Sequence, residues 1–165
     1  HLNWSIESKK ILILGAGGAS RGVLEPILQQ HPELVFIANR TASKAKDLAQ
    51  EFLSIGNIQG GGYSLLGETS AYQSFDMIIN ATSASLNGEV PPLPDTVLHS
   101  GSQCYDMMYA AKPTAFMDWA SHLGMVNISD GLGMLVGQAA ESFFLWRGVR
   151  PEVKPVINLI RREML

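Results

Sequence analysis

Lys9-Lys10-Ile11-Leu12-Ile13-Leu14-Gly15-Ala16-Gly17-Gly18-Ala19-Ser20-Arg21-Gly22 reads as a buried strand, a glycine turn and the opening of a helix. Ile11 to Leu14 is apolar without polar alternation, the pattern of a parallel strand covered on both faces. Gly15 can take the tight turn, and Gly17 lets the backbone approach a pyrophosphate with no Cβ in the way. The helix that follows aims free N–H groups and its positive end at the same place, which suits an anion. The third small-residue position holds Ser20 rather than glycine and is still compatible with close helix packing. Such a turn alone has low specificity, so the rest of the chain decides.

Working outward, Ala19–Gln30 reads as a helix with Pro26 inside it, able to kink or tighten its second half. His31-Pro32-Glu33 closes that helix, and Leu34–Ala38 follows as a second buried strand. A βαβ unit of this kind crosses over right-handed. Ala42–Leu53 is an amphipathic helix with Ala45, Leu48, Ala49 and Phe52 at helical spacing. Residues 57–67 are glycine-rich; Gly60-Gly61-Gly62 reads as a flexible turn beside a short third strand, and no Lys-Ser/Thr follows to make a phosphate loop. A short helix fits somewhere in residues 65–72. Further strands are expected at Phe75–Asn80, Gln103–Met107 and Met125–Ile128. Further helices are expected at Ala115–His122, opened by Pro113-Thr114, at Leu132–Arg147, capped by Asp130, and at Glu152–Leu165. The long helix at Leu132 has an expected apolar face of Leu132, Leu135, Val136, Ala139, Phe143 and Trp146, with Gln138 off it. Strands alternating with helices define an α/β class, a Rossmann-like doubly wound parallel sheet with helices on both faces, and 165 residues amount to one domain.

The end of the second strand bears on nucleotide choice. A carboxylate there would bond ribose hydroxyls and repel a 2′-phosphate. This chain has Asn39-Arg40-Thr41 instead, with Lys44 one turn on. Arg40 offers a planar fork of donors and a stacking face for adenine, Thr41 a hydroxyl that can cap the helix or meet phosphate, and Lys44 a point charge. The bland alternative is a solvated pair of cations, but cations are disfavoured at a helix start. The pattern therefore favours NADP over NAD. Asn80, Thr82 and Ser83 follow another strand, where polar groups could line a cofactor, although all three also favour turns. The segment Leu86–Pro94 carries three prolines and reads as a loop.

Composition excludes several classes. A net charge of −3 with scattered basic residues leaves no nucleic-acid footprint. The longest apolar stretch, Gly131–Trp146, includes Gln138 and Glu141 and is too short to span a bilayer. His1, His31, His99 and His122 share no metal-ligand spacing and read as structural or surface groups, and Cys104 is alone, so no metal site is expected. A single cysteine fits a reducing, cytoplasmic setting.

Taken together, five segments resemble the shikimate dehydrogenase family: Gly15–Arg21; Asn39-Arg40-Thr41 with Lys44; Asn80-Ala81-Thr82-Ser83; Tyr105-Asp106-Met107 with Tyr109; and Asp130–Leu135 with Gln138. The resemblance implies reversible hydride transfer between NADP(H) and the 3-dehydroshikimate/shikimate pair, in aromatic amino acid biosynthesis. By position it implies that Gly15, Ala16, Gly17, Gly18, Ala19 and Ser20 hold the pyrophosphate. Asn39, Arg40, Thr41 and Lys44 would bind the 2′-phosphate. Thr82, Met107 and Gly131 would border the nicotinamide, Gly131 at a helix start where a ring can approach the backbone. Tyr109 and Gln138 would reach the substrate. The family also has an N-terminal substrate domain carrying a Lys–Asp proton-transfer pair. Only fourteen residues precede Gly15, and Lys9 and Lys10 fall at the wrong end of the sheet. The expectation is an isolated cofactor domain, with no catalytic residue of its own, that binds NADP(H) without turnover. Its last helix would otherwise pack on the substrate domain and would leave Val156, Ile160 and Met164 as an exposed apolar face prone to self-association. The competing readings are a complete, non-catalytic NADP-binding module and a relative with another substrate, such as a quinate-preferring or a glutamyl-tRNA-reductase-like enzyme.

Overall fold

The computed structural model describes residues 2–164. The strands are β1 (Lys10–Leu14), β2 (Leu34–Ala38), β3 (Ile58–Gly61), β4 (Met77–Asn80), β5 (Gln103–Asp106) and β6 (Asn127–Ser129). They form one sheet in the order β3-β2-β1-β4-β5-β6, and every adjacent pair is parallel. The helices are α1 (Gly18–Leu28), α2 (Ala42–Phe52), α3 (Ala115–His122), α4 (Leu132–Arg147) and α5 (Val153–Met164). This is the expected doubly wound arrangement. The strand order reverses between β1 and β4, and a crevice opens at the carboxyl ends of the strands there. His1 and the expected last helical residue, Leu165, lie outside the described residues.

The period of two along each strand sorts the core into two layers. Ile11, Ile13, Val35, Ile37, Met77 and Ile79 face Leu24, Ile27 and Leu28 of α1 and Ala45, Leu48 and Ala49 of α2. Leu12, Leu14, Phe36, Ala38, Ile78 and Cys104 face the other way, onto Phe75, Val97, and Phe116 and Ala120 of α3. The central strands bury both faces, which is why their sequences do not alternate. Burial pushes the Cys104 thiol up to about 12. Helix α1 runs through Pro26 and ends earlier than expected, with His31 in the left-handed region at φ 54°.

Three expectations are corrected. Gly60 and Gly61 are not a flexible turn: they pair with Ile37 and Ala38 as part of β3. A Cβ on Gly60 would stand 2.1 Å from the Ala45 carbonyl oxygen, so the glycine is there to let α2 lie against the edge strand. The stripe on α4 is also displaced. Its buried residues are Leu132, Gly133, Val136 and Ala140, whereas Leu135, Phe143 and Trp146 are exposed. On α5, Val156 is exposed but Ile160 and Met164 are half-buried; Leu159 is exposed in their place, because α5 packs back along α4. The short helix foreseen in residues 65–72 appears as two 3₁₀ turns, Tyr63–Leu65 and Ser70–Tyr72.

At the amino ends of the strands, Asp76 accepts from the Lys10 N–H at 2.9 Å and pairs with Lys9 at 3.4 Å and His99 at 3.6 Å. The Lys10 ammonium donates to the Gln73 carbonyl at 2.8 Å. Burial pushes the Asp76 carboxyl upward, but the Lys10 N–H and the Lys9 and His99 charges outweigh it and hold the group below its ordinary value. A depressed carboxyl stabilises the fold above its unfolded value and loses that contribution as pH falls through the folded one. Asp76→Asn is therefore expected to cost roughly 1 kcal/mol at pH 7. The difference should shrink as pH falls below the ordinary carboxyl range and through the depressed folded-state value, as read by urea unfolding at a series of pH values.

Candidate nucleotide-binding site

The turn after β1 is set by two constraints. Gly15 has φ +100°, and a Cβ there would press on Thr82 Cγ2 at 3.1 Å and the Ala81 carbonyl oxygen at 3.2 Å. Ser20 is buried, and its hydroxyl donates to the Gly15 carbonyl at 2.7 Å, so the residue in the third small position ties the helix to its own turn. Gly17, Gly18 and Ala19 are exposed, and the Cβ directions of Gly17 and Gly18 open into free space. The first intrahelical bond of α1 runs from Arg21 N–H to the Gly17 carbonyl. The N–H groups of Gly18, Ala19 and Ser20 are thus the free donors of the helix end, with no acidic residue in the first turn. Arg21 turns away and forks onto Glu51 of α2, at 2.7 Å for one arm.

A cleft of about 440 Å³ lies between the ends of β2 and β4, at the reversal of strand order. Asn39, Arg40 and Tyr63 form one side; Thr82, Ser83, Ala84, Asn87 and the stretch from Glu89 to Pro92 form the other. Arg40 is exposed and makes no hydrogen bond or ion pair among the described residues. The Asn39 amide donates to the Thr41 carbonyl at 3.0 Å. Thr41 occupies the N-cap of α2 with no side-chain capping bond, which leaves its hydroxyl uncommitted. Thr41 and Lys44 stand exposed at the start of α2, next to Arg40 in sequence but not among the cleft walls. The loop read from its prolines supplies a wall of the cleft. Tyr63 was not singled out by sequence, because nothing in a glycine-rich stretch marks which side chain will face a neighbouring loop. Burial raises its phenol, and the Arg40 cation pulls it back part of the way.

Asn80 is not a cofactor-lining group. It is fully buried, and its Oδ1 accepts from the Thr82 N–H at 3.2 Å and the Thr82 hydroxyl at 2.7 Å. Its amide donates to Asp106 Oδ1 and to Ser85 Oγ, both at 3.1 Å. Asp106, also fully buried, accepts in addition from Ser85 Oγ at 2.8 Å, Thr114 Oγ1 at 2.6 Å and the Met108 N–H at 3.0 Å. Thr114 in turn caps α3 by accepting from the Met117 N–H. The carboxylate thereby joins the exits of β4 and β5 to the start of α3.

Beyond β5, Met107 and Gly131 meet backbone to backbone. A Cβ on Gly131 would lie 2.1 Å from the Met107 carbonyl oxygen, and the Gly131 N–H donates to the Met108 carbonyl at 3.0 Å. Gly131 is buried. Its lack of a side chain answers to the close approach of the β5 loop. Asp130 Oδ1 accepts from the Leu132 N–H at 3.2 Å, so Asp130 supports the start of α4 while Gly131 holds the capping position. Burial, with the Asp130 charge adding to it, pushes the Tyr105 phenol up to about 12. Tyr109 lines a second cleft, of about 450 Å³, with Ser85, Met108, Lys112 and Asp118. Gln138 is exposed on α4 and borders neither cleft. Among the described residues no group of His, Cys, Asp and Glu side chains could hold a metal ion, and no helix is long and apolar enough to cross a membrane.

The sheet order, the anion-ready start of α1 and a cleft at the strand reversal define a doubly wound α/β domain of the dinucleotide-binding class. The chain belongs to the shikimate/quinate dehydrogenase family: residues 1–87 match the family "Shikimate / quinate 5-dehydrogenase", and residues 131–161 match the "Shikimate 5'-dehydrogenase C-terminal domain". It is 56% identical over 164 residues to a protein of Cellvibrio japonicus named shikimate dehydrogenase (NADP(+)), covering 99% of this chain and 58% of that relative. Its fold matches the crystal structure of an Ael1 enzyme from Pseudomonas putida with a TM-score of 0.87 and 43% identity, over 96% of this chain and 56% of that one. It also matches a 5-ketofructose reductase of Gluconobacter, with a TM-score of 0.84 and 28% identity, over 99% of this chain and 59% of that one. The chain thus spans somewhat more than half the length of each of these three proteins.

Asp106→Ala is expected to strip four donors of their acceptor and to cost about 3 kcal/mol or more. Denaturant unfolding measures that loss. An unchanged midpoint would mean that the network contributes nothing.

Proposed function

We propose that this chain is the nucleotide-binding domain of an NADP-dependent shikimate dehydrogenase. That enzyme interconverts a ring alcohol and its ketone by hydride exchange with the nicotinamide. The observation that carries the cofactor choice is Arg40. It is an unpaired guanidinium among the described residues, on the wall of a cleft at the end of β2, where an NAD-selective domain of this class places a carboxylate. The similarity to a relative named for NADP(+) supports the same choice.

In this reading the Gly15–Ser20 turn and the free amides of Gly18, Ala19 and Ser20 receive the pyrophosphate. Arg40 takes the 2′-phosphate with its fork and lies against adenine, Thr41 adds its uncommitted hydroxyl, and Asn39 and Lys44 complete the anion's surroundings. Thr82, Met107 and Gly131 border the nicotinamide, with Gly131 setting the backbone position. Tyr109 and Gln138 present hydroxyl and amide groups to a polyhydroxylated ring. When bound, the nicotinamide supplies the hydride acceptor or donor. No proton-transfer role falls to Lys9 or Lys10, which are held by Asp76 and the Gln73 carbonyl at the opposite edge of the sheet. We place the protein in the cytoplasm. The apolar surface of α4 and α5, with Leu145 80% and Trp146 79% exposed, serves in this reading as a contact for further protein, whether another part of the enzyme or a second copy. Quinate is the second substrate in view, because the matching family carries it in its description.

Calorimetry with NADPH and NADH tests the cofactor assignment. The native chain is expected to prefer NADPH. Arg40→Ala should weaken NADPH binding by about 10- to 100-fold, the worth of a charge-assisted fork, and leave NADH within about threefold. Equal binding of both nucleotides by the native chain would refute the assignment.

A further inference from the structure

Arg161, on the last helix, reaches two separate backbone segments at once. One arm of its guanidinium, Nη1, donates to the Ala110 carbonyl at 3.1 Å. The other, Nη2, pairs with Asp130 Oδ1, whose side chain is 5% exposed. The first segment is the β5 exit loop that carries Met107 and Tyr109. The second is the start of α4 that carries Gly131 and, two turns on, Gln138. These segments already touch through the Met107 carbonyl against Gly131 and through the Gly131 N–H to the Met108 carbonyl. A small interface between two loops slides easily unless a group with fixed geometry spans it. A planar guanidinium is such a group, since its donors diverge at set angles.

We infer that Arg161 is a positioning residue for the nicotinamide half of the nucleotide site: it fixes the β5 loop against the start of α4 so that the bordering surface is already formed when the dinucleotide arrives. The inference rests on the NADP assignment and goes beyond it, because Arg161 touches neither cleft. Asp130 serves as the relay, accepting from Arg161 and from the Leu132 N–H with the same oxygen. Without the cation, its nearly buried charge keeps, among the described residues, only that backbone donor. The adenosine end depends on β1, β2 and α2 and is independent of this clamp. A preformed site spares the ordering cost of binding, so the effect falls on one end of the ligand.

The test compares two ligands on the whole chain by calorimetry: NADP⁺, and 2′-phospho-ADP-ribose, which is the same molecule lacking nicotinamide. Arg161→Ala is expected to weaken NADP⁺ at least fivefold and to leave 2′-phospho-ADP-ribose within twofold. Arg161→Lys keeps a cation for Asp130 without the fork and is expected to fall between the native chain and Arg161→Ala. Asp130→Asn keeps an acceptor for Leu132 but drops the charge; it should reproduce the same ligand-selective loss and stands in should Arg161→Ala fail to fold. An equal loss on both ligands, or no loss on either, would overturn the inference. Native protein that binds both ligands equally would overturn it while leaving the NADP assignment intact. Native protein that binds neither would overturn both.

Discussion

The carboxylate of Asp106 is the constraint on which the binding edge depends. A charge in a fully buried position is tolerated only when its lone pairs are met, and four donors from four places in the chain meet it: Asn80, Ser85, Met108 and Thr114. Those donors bring together the β4 exit, the 3₁₀ turn after it, the β5 exit and the cap of α3. Through Asn80 the same network reaches the backbone and hydroxyl of Thr82. The loops around the clefts are therefore not free to wander, even though they contain little regular structure. Two oxygens at the end of β5 set their relative positions.

A second set of constraints is purely steric. Gly15 leaves room for Thr82 and Ala81, Gly60 for the backbone of α2, and Gly131 for the Met107 carbonyl. At Gly60 and Gly131 one piece of backbone passes too close to another for a methyl group, and at Gly15 a tight contact adds to a positive φ that favours glycine. Gly17 and Gly18, at the start of α1, face open space instead. Gly15, Gly60 and Gly131 thus serve packing, whereas Gly17 and Gly18 leave the start of α1 uncovered.

The fold was legible because both-face burial leaves a plain signature. Ile11–Leu14, Leu34–Ala38 and Met77–Ile79 are apolar runs punctuated by turn residues, and the helices that follow the first two begin directly after Gly17 and Thr41. The start of α3 at Thr114 and the bounds of α4 follow from local chemistry in the same way. Other features depend on contacts between residues far apart in the chain. Nothing within Gly60-Gly61-Gly62 tells that α2 will lie on it, so the triplet looks like a turn. On α4, a helix apolar nearly all round, periodicity cannot choose a side; packing selects Val136 and Ala140 over Leu135 and Phe143. At the candidate site, Arg40 could be read from its place after β2, whereas Tyr63, the Glu89–Pro92 wall and the reach of Arg161 exist only once distant segments meet. Asp106 was visible as part of a motif, but its work as a structural hub was not.

Cys104 sits in the layer beneath α3, fully buried, with its thiol pushed up to about 12. At neutral pH it is neither ionised nor reachable, so it does not compete for alkylating reagents while the fold is intact. A cysteine introduced at an exposed position, for instance on the outer face of α4, would then be the one accessible thiol for a maleimide dye. The chain is in this sense ready for single-site fluorescent labelling without first removing its native sulfur.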